Sequence, residues 1–428
     1  MFEYGPFTDV AGHDDAVAAD ARSPLSHVRE TFVVDDPELL YLDGNSLGRL
    51  PAGARDVVQD TTDRQWGDRL IRSWNEGWWE QQLALGDLLA PIVGARLGEV
   101  LISESTTTNL FKLAVAAMRA REGRRTVVTD DLNFPTDNYA LAGAAELLGG
   151  DRRVVTVASA DGVHGATDAL LAALDEDVAL LSLSHTCFKS GFVHDLPRLT
   201  AAAHEVGALV LWDLSHSAGA VPVDLAAHDV DLAVGCTYKY LNGGPGAPAF
   251  LYVRRDLQDQ LDNPIAGWWG HEEPFAFDLD FRPADGLRRF HVGTMPMLSL
   301  NAIEPGVRQV AELGIETIRE VSVSLTEFLI AQADEHLAPL GFSVASPREA
   351  ARRGSHVSLA HPDGWPITRA LIEDAKVLPD FRAPDNLRLG IAPLYISHVD
   401  IHTAVQRIAR VVRDGLHERH RDASAAVT

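Results

Sequence analysis

Seven short apolar runs punctuate the first two thirds of the chain: Val100–Ser103, Thr126–Thr129, Val154–Val157, Ala179–Leu183, Ala208–Trp212, Leu232–Gly235 and Ala249–Val253. Each is strand-length, and most are rich in β-branched or aliphatic residues, as buried strands are. Between several of them the spacing switches to a helical period, over about Thr107–Arg121, Asp137–Leu148 and Arg198–Val206. Strands alternating with helices through short connections predict an α/β domain around a mostly parallel sheet. Upstream, residues 52–91 read as mostly helical with a dense set of tryptophans, and residues 1–40 as an irregular arm broken by Pro24 and Pro37. The pattern changes after about residue 300. A long helix over about Ile303–Leu337 leads to strands near Phe342–Ala345, His356–Leu359 and Leu387–Ile391, with a final helix near Val399–Leu416 and a frayed polar tail after Arg421. This predicts a second, smaller α/β unit.

Composition narrows the picture. The 428 residues are 46% hydrophobic and 23% charged, an ordinary globular balance. Lys+Arg number 37 against 61 Asp+Glu, for a net charge of -24, which argues against nucleic acid or an anionic membrane as partner. Neither of the two cysteines, Cys187 and Cys236, sits in a CxxC or Cys/His cluster, so no structural metal site is expected and a reducing, cytoplasmic setting is. The acidic N-terminus lacks a basic start followed by an apolar core, so it does not read as a signal peptide. No apolar run approaches a membrane span.

Three segments carry candidate chemistry. Cys236-Thr237-Tyr238-Lys239-Tyr240-Leu241-Asn242-Gly243-Gly244 follows an apolar strand and enters a glycine-rich turn. A lysine there is either paired with a carboxylate or held nucleophilic in a dry pocket, where it can form a Schiff base. Asp213 ends the strand Ala208–Trp212, where ligands of open α/β sheets bind; alone it could equally be a helix cap or a magnesium ligand. Together, a strand-end carboxylate and a lysine one strand away suit pyridoxal phosphate, whose ring nitrogen must stay protonated. Ser103–Asn109, between a strand and a helix, offers amides, hydroxyls and a helix dipole to a phosphate, or is a plain N-cap. In Asn133-Phe134-Pro135-Thr136-Asp137 the aromatic can stack on a flat ring, while Asp137 could contact it or simply cap the next helix.

In combination these blocks resemble kynureninase over nearly the whole chain. Tyr41-Leu42-Asp43-Gly44-Asn45-Ser46-Leu47-Gly48, Trp74-Asn75 with Gly77-Trp78, Gly267-Trp268-Trp269-Gly270-His271, Gly293-Thr294, and Arg388 with Pro393-Leu394-Tyr395 fall in family order. The resemblance implies the fold type I of pyridoxal-phosphate enzymes, with a mostly parallel seven-stranded sheet. It divides the chain into an arm (1–60) serving the small domain and dimer contacts, a large cofactor domain (61–305) and a small C-terminal domain (306–428). Lys239 would carry pyridoxal 5'-phosphate, Asp213 would pair with its ring nitrogen and Tyr238 would assist catalysis. Thr106, Thr107, Phe134, Pro135, Thr136, Asp137, Ser184 and His216 would surround the cofactor, with Trp268 and Thr294 reaching it from the second subunit of a homodimer. Arg388, Ser46 and Trp74 would bind substrate. His271 is a substrate contact or a satisfied interior histidine, and Arg288 and Arg289 are expected at the surface or an interface.

The implied reaction is hydrolysis of L-kynurenine, or its 3-hydroxy form, to anthranilate or 3-hydroxyanthranilate and L-alanine, in tryptophan catabolism or NAD biosynthesis. A class V aminotransferase, a cysteine desulfurase and a non-catalytic binding relative are the alternatives. A desulfurase needs a mobile cysteine, which neither Cys187 nor Cys236 resembles.

Overall fold

The computed structural model describes residues 12–421. The seven apolar runs assemble into one sheet. Its strands run, edge to edge, Val100–Ile102, Phe250–Val253, Leu232–Gly235, Leu209–Asp213, Val178–Ser184, Thr126–Asp130 and Arg153–Val157. Phe250–Val253 alone runs antiparallel to its neighbours. Alternation along the central strands explains why both faces are covered: Leu209 and Leu211 enter one apolar cluster, Val210 and Trp212 the other. Helices Thr106–Ala120 and Pro135–Leu148 pack on the first face, and Leu196–Glu205 on the second.

A four-stranded antiparallel sheet follows, ordered Asp380–Arg382, Asn386–Gly390, His356–Ala360, Ser343–Val344. The first of these strands was missed in the sequence, although Pro384-Asp385 is a turn signal between two strand-length runs.

Two expectations need correction. The N-terminal arm is not wholly irregular: His13–Arg22 is a helix, packed against the last helix, His398–Arg413. Asp20 of the arm accepts from the backbone amides of His398 and Val399, so the arm caps that helix from outside. The long helix expected over 303–337 is interrupted. It divides into Glu304–Leu313 and Ile315–His336 at Gly314, whose φ of +78° is a conformation that favours glycine. The tail expected to fray after Arg421 lies outside the described residues.

The segment 41–48 ties the two sheets together. Leu40–Tyr41 pairs in parallel with Val377–Leu378, and Gly390 N–H donates to Leu42 C=O at 2.7 Å. At its other end Gly48 N–H donates to Tyr238 C=O at 2.8 Å. A Cβ on Gly48 would overlap Lys239 O and Asn242 Oδ1, which explains the glycine. Among the described residues no helix is long and apolar enough to cross a membrane.

Gly48→Ala should therefore destabilise the protein by about 1–3 kcal/mol, as overpacking of a tight backbone approach does. A urea melt with an unchanged midpoint would contradict that packing account.

Candidate active site

The carboxyl ends of the central strands open into a cavity of about 220 Å³. Ser184 and Asp213 are the last residues of adjacent strands and lie in register, so both reach the same floor. Lys239 arrives on the turn after Leu232–Gly235, the next strand across. Thr106 and Thr107 open the helix Thr106–Ala120, whose N-cap Ser105 accepts from Thr108 N–H at 3.2 Å. The first amides of that helix have no intrahelical acceptor, which leaves donors and a positive dipole end beside the cavity.

Phe134 caps the helix Pro135–Leu148 and is 43% exposed, so its ring is free to face a ligand. Pro135 sets the helix start and is not part of the wall, whereas Thr136 and Asp137 in the first turn are. Asn133 locks this corner to the floor: Ser184 N–H donates to its Oδ1 at 2.6 Å, and its Nδ2 donates to Thr129 Oγ1 at 2.8 Å.

The electrostatics are set by burial. Asp137 is only 3% exposed, and burial followed by the neighbouring Asp213 carboxylate pushes it well above the usual carboxylate range. Asp137 therefore carries its proton beside the Asp213 carboxylate. Asp213 Oδ1 is fixed by Ser215 N–H at 2.7 Å. Lys239 Nζ donates to His216 Nε2 at 2.9 Å. Burial, then the Lys239 charge, keep His216 well below its ordinary value, so it is a neutral acceptor. Its Nδ1 is buried and finds no hydrogen-bond partner among the described residues. The Cys236 thiol alongside, then burial, hold the Tyr238 phenol high and protonated.

Arg388 enters from the four-stranded sheet, 1% exposed, and lines the same cavity with Ser46 of the 41–48 segment. Its Nη2 donates to Ser46 Oγ at 2.8 Å and its Nη1 to Phe188 C=O at 2.6 Å. Sequence reasoning overlooked four wall residues: Asn45, Phe188, Ser215 and Arg382. Asn45 stands inside the Tyr41–Gly48 block, and Ser215 lies between the expected site residues Asp213 and His216. Arg382 lies on the strand that had been missed, and the loop bearing Phe188 offers no pattern that marks it.

Three expected site residues stand apart from the cavity within one chain. Trp74 and Trp268 belong to an aromatic cluster, with ring centroids 6.3 Å apart and Trp79 stacked on Trp269 at 5.1 Å. Thr294 is exposed. His271 is an interior histidine, accepting from Glu273 N–H at 2.8 Å with its Nε2 3.3 Å from Asp280 C=O. Arg289, expected at the surface or an interface, is buried within the chain and donates to Ala284 C=O and Asp259. No group of three or more His, Cys, Asp or Glu among the described residues could hold a metal.

Comparison with known proteins places this geometry among relatives. Residues 318–408 match the family model "Kynureninase C-terminal domain". The chain is 41% identical over 404 residues to a kynureninase of Pseudomonas fluorescens, covering 93% of this chain and 95% of the relative. Its fold is similar to the apo cysteine desulfurase of Thermococcus onnurineus, with a TM-score of 0.78 at 18% identity, covering 92% of this chain and 99% of that one. It is also similar, with a TM-score of 0.75 at 18% identity over 87% of this chain and 97% of the other, to a C-DES mutant with glycine covalently linked to its PLP-cofactor.

The Asp137 carboxyl carries a sign that can be measured. Held above its unfolded value, it favours the fold below the unfolded pKa, and that advantage is lost as pH rises toward the folded one. Asp137→Asn should raise the melting temperature of the cofactor-free protein at pH 8 more than at pH 4. Equal shifts at the two pH values would refute the buried, protonated acid.

Proposed function

The chain belongs to the kynureninase family, and on that premise we propose that the cleft hydrolyses L-kynurenine, or 3-hydroxy-L-kynurenine, to anthranilate or 3-hydroxyanthranilate and L-alanine with pyridoxal 5'-phosphate as cofactor. The observation that carries the reading is that Lys239, Asp213 and Arg388, from three separate parts of the chain, face one cavity. The donor set fits the cofactor: a lysine amine, a strand-end acid, an exposed aromatic face, and a helix N-terminus bearing Thr106 and Thr107.

When bound, the cofactor supplies an electrophilic carbon and a ring that accepts an electron pair. Asp213 would hold a proton at the ring nitrogen, and the Asp137 carboxyl beside it keeps that region from gathering two full negative charges. Phe134 would cover the ring, Thr106 and Thr107 would bind the phosphate with Tyr238, and Thr136, Ser184 and His216 complete the wall. Lys239 Nζ takes and returns the α-proton. Its contact with His216 Nε2 at 2.9 Å gives it a neutral partner against which to turn. Arg388 with Ser46 receives the α-carboxylate. Hydrolysis of the Cβ–Cγ bond would place the hydroxyl of water on the carbonyl carbon, giving the aryl acid, and a proton on Cβ, giving alanine.

In this reading Trp268 and Thr294 act from a second subunit, and Trp74, packed against Trp268, binds substrate, so the working unit is a homodimer. Trp268, Phe275, Phe277, Leu279 and Phe281 are all at least 40% exposed within one short segment, a density that calls for a covering surface. We assign the arm to residues 1–60, the large unit to 61–305 and the small one to 306–428, with tryptophan breakdown or NAD biosynthesis as the pathway. Two buried, unpaired thiols fit a cytoplasmic home. Burial also pushes both thiols above their ordinary value, which disfavours the desulfurase alternative.

Released anthranilate fluorescence, with no keto-acid acceptor added, is the direct assay. Arg388→Ala should raise KM on the order of a hundredfold, the loss of about 3 kcal/mol of charge-assisted bonding. Absence of anthranilate from the cofactor-loaded wild type would overturn the reading, and an unchanged KM would remove Arg388 from it.

A further inference from the structure

Arg388 is already crowded before any substrate arrives. Besides Ser46 and Phe188 it pairs with Asp380, the residue directly opposite it across the strand pair. With its amide turned so that oxygen faces the guanidinium, Asn45 accepts from Arg388 Nε at 3.1 Å and donates to Asp43 Oδ1 at 3.3 Å. Arg382 binds the same Asp380 carboxylate at 2.8 Å. Asp43 lies 3.9 Å from Arg388 Nη2 and is 13% exposed. Two guanidinium groups and two carboxylates thus share one mostly buried cluster.

Their charge count has a consequence for ligand entry. With both carboxylates ionised the cluster is neutral, and a further carboxylate would leave a buried, uncompensated negative charge, a costly arrangement. With Asp43 protonated the cluster is positive by one, and an incoming carboxylate neutralises it. Burial, then Asp380, push Asp43 up to about 6, against the opposing pull of Ser46, Arg388 and Arg382. The other titratable groups near it, Tyr41 and Tyr240, are phenols held above their ordinary value chiefly by burial, so they stay neutral. Asp43 therefore sits near its titration range at neutral pH, and a proton is available to the clamp at little cost.

We propose that Asp43 takes up a proton when the substrate carboxylate enters the Arg388 clamp, while Asp380 acts as the fixed counter-ion that keeps Arg388 and Arg382 in register. Asp43 is in these terms a positioning residue, acting through Arg388. The proposal rests on the reading that Arg388 receives the α-carboxylate. Coupling is reciprocal: if the carboxylate raises the proton affinity of Asp43, the proton raises the affinity for the carboxylate.

The test compares wild type with Asp43→Asn, whose side chain cannot ionise, both loaded with cofactor. The ratio of their KM values for L-kynurenine, wild type over variant, cancels ionisations common to both. It should rise at least about tenfold between pH 5.5 and pH 8, following one proton per site. Calorimetric titration with L-alanine at pH 7, in two buffers of different ionisation heat, should show wild type taking up between about half a proton and one proton more than the variant. A flat KM ratio or equal proton uptake overturns the proposal. Asp43→Ser removes the acid without adding an amide and should reproduce both differences, which covers misfolding of the first variant. The Arg388→Ala control separates the two layers. If its KM is unchanged, the carboxylate reading falls; if its KM rises while Asp43→Asn parallels wild type, only the proton coupling falls.

Discussion

The cleft depends on keeping an amine and two acids inside a protein interior without letting them collapse into an ordinary salt bridge. The chain achieves this by separation. Lys239 Nζ is held on the neutral ring of His216, and Asp213 is held by a backbone amide and by the protonated Asp137. Each charged group has a partner that does not cancel it, so a lysine amine and a strand-end carboxylate remain available to a ligand between them.

Strand order supplies that separation. Ser184, Asp213 and the turn bearing Lys239 follow three neighbouring parallel strands, so their spacing across the floor is the spacing of the sheet itself. The helix bearing Thr106 and the one capped by Phe134 form the walls because the chain must cross back over the sheet between parallel strands. The substrate side has a different origin. Arg388 and Asp380 come from the small antiparallel sheet, and Asn45 and Ser46 from the segment pinned to both sheets by Leu42 and Gly48. The cleft is therefore a junction, with a cofactor half built on one sheet and a carboxylate half built on the other.

Much of this was legible from residue order because it is local. Every strand of the large sheet followed from an apolar run, and Asp213, Lys239, Thr106 and Phe134 each mark the end of one element or the start of the next. What escaped depends on pairing between distant segments. Asp380 and Arg382 acquire meaning only once their short strand is seen opposite Arg388. The raised affinity of Asp137 for its proton needs two acids, Asp137 and Asp213, 76 positions apart to meet in the same dry corner. The broken helix at Gly314 was missed because a single glycine within a helical pattern costs only about 1 kcal/mol and is often tolerated. The aromatic cluster of Trp74, Trp79, Trp268 and Trp269 was recognisable as dense in tryptophan, but nothing local says which of its faces packs inward.

The central claim is covalent chemistry at one amine, and it can be examined without turnover. Protein incubated with pyridoxal 5'-phosphate, reduced with borohydride, digested and mapped by mass spectrometry should carry the phosphopyridoxyl group on the peptide containing Lys239, with Lys112, Lys189 and Lys376 unmodified. A label spread over surface lysines, or absent from that peptide, would contradict the account.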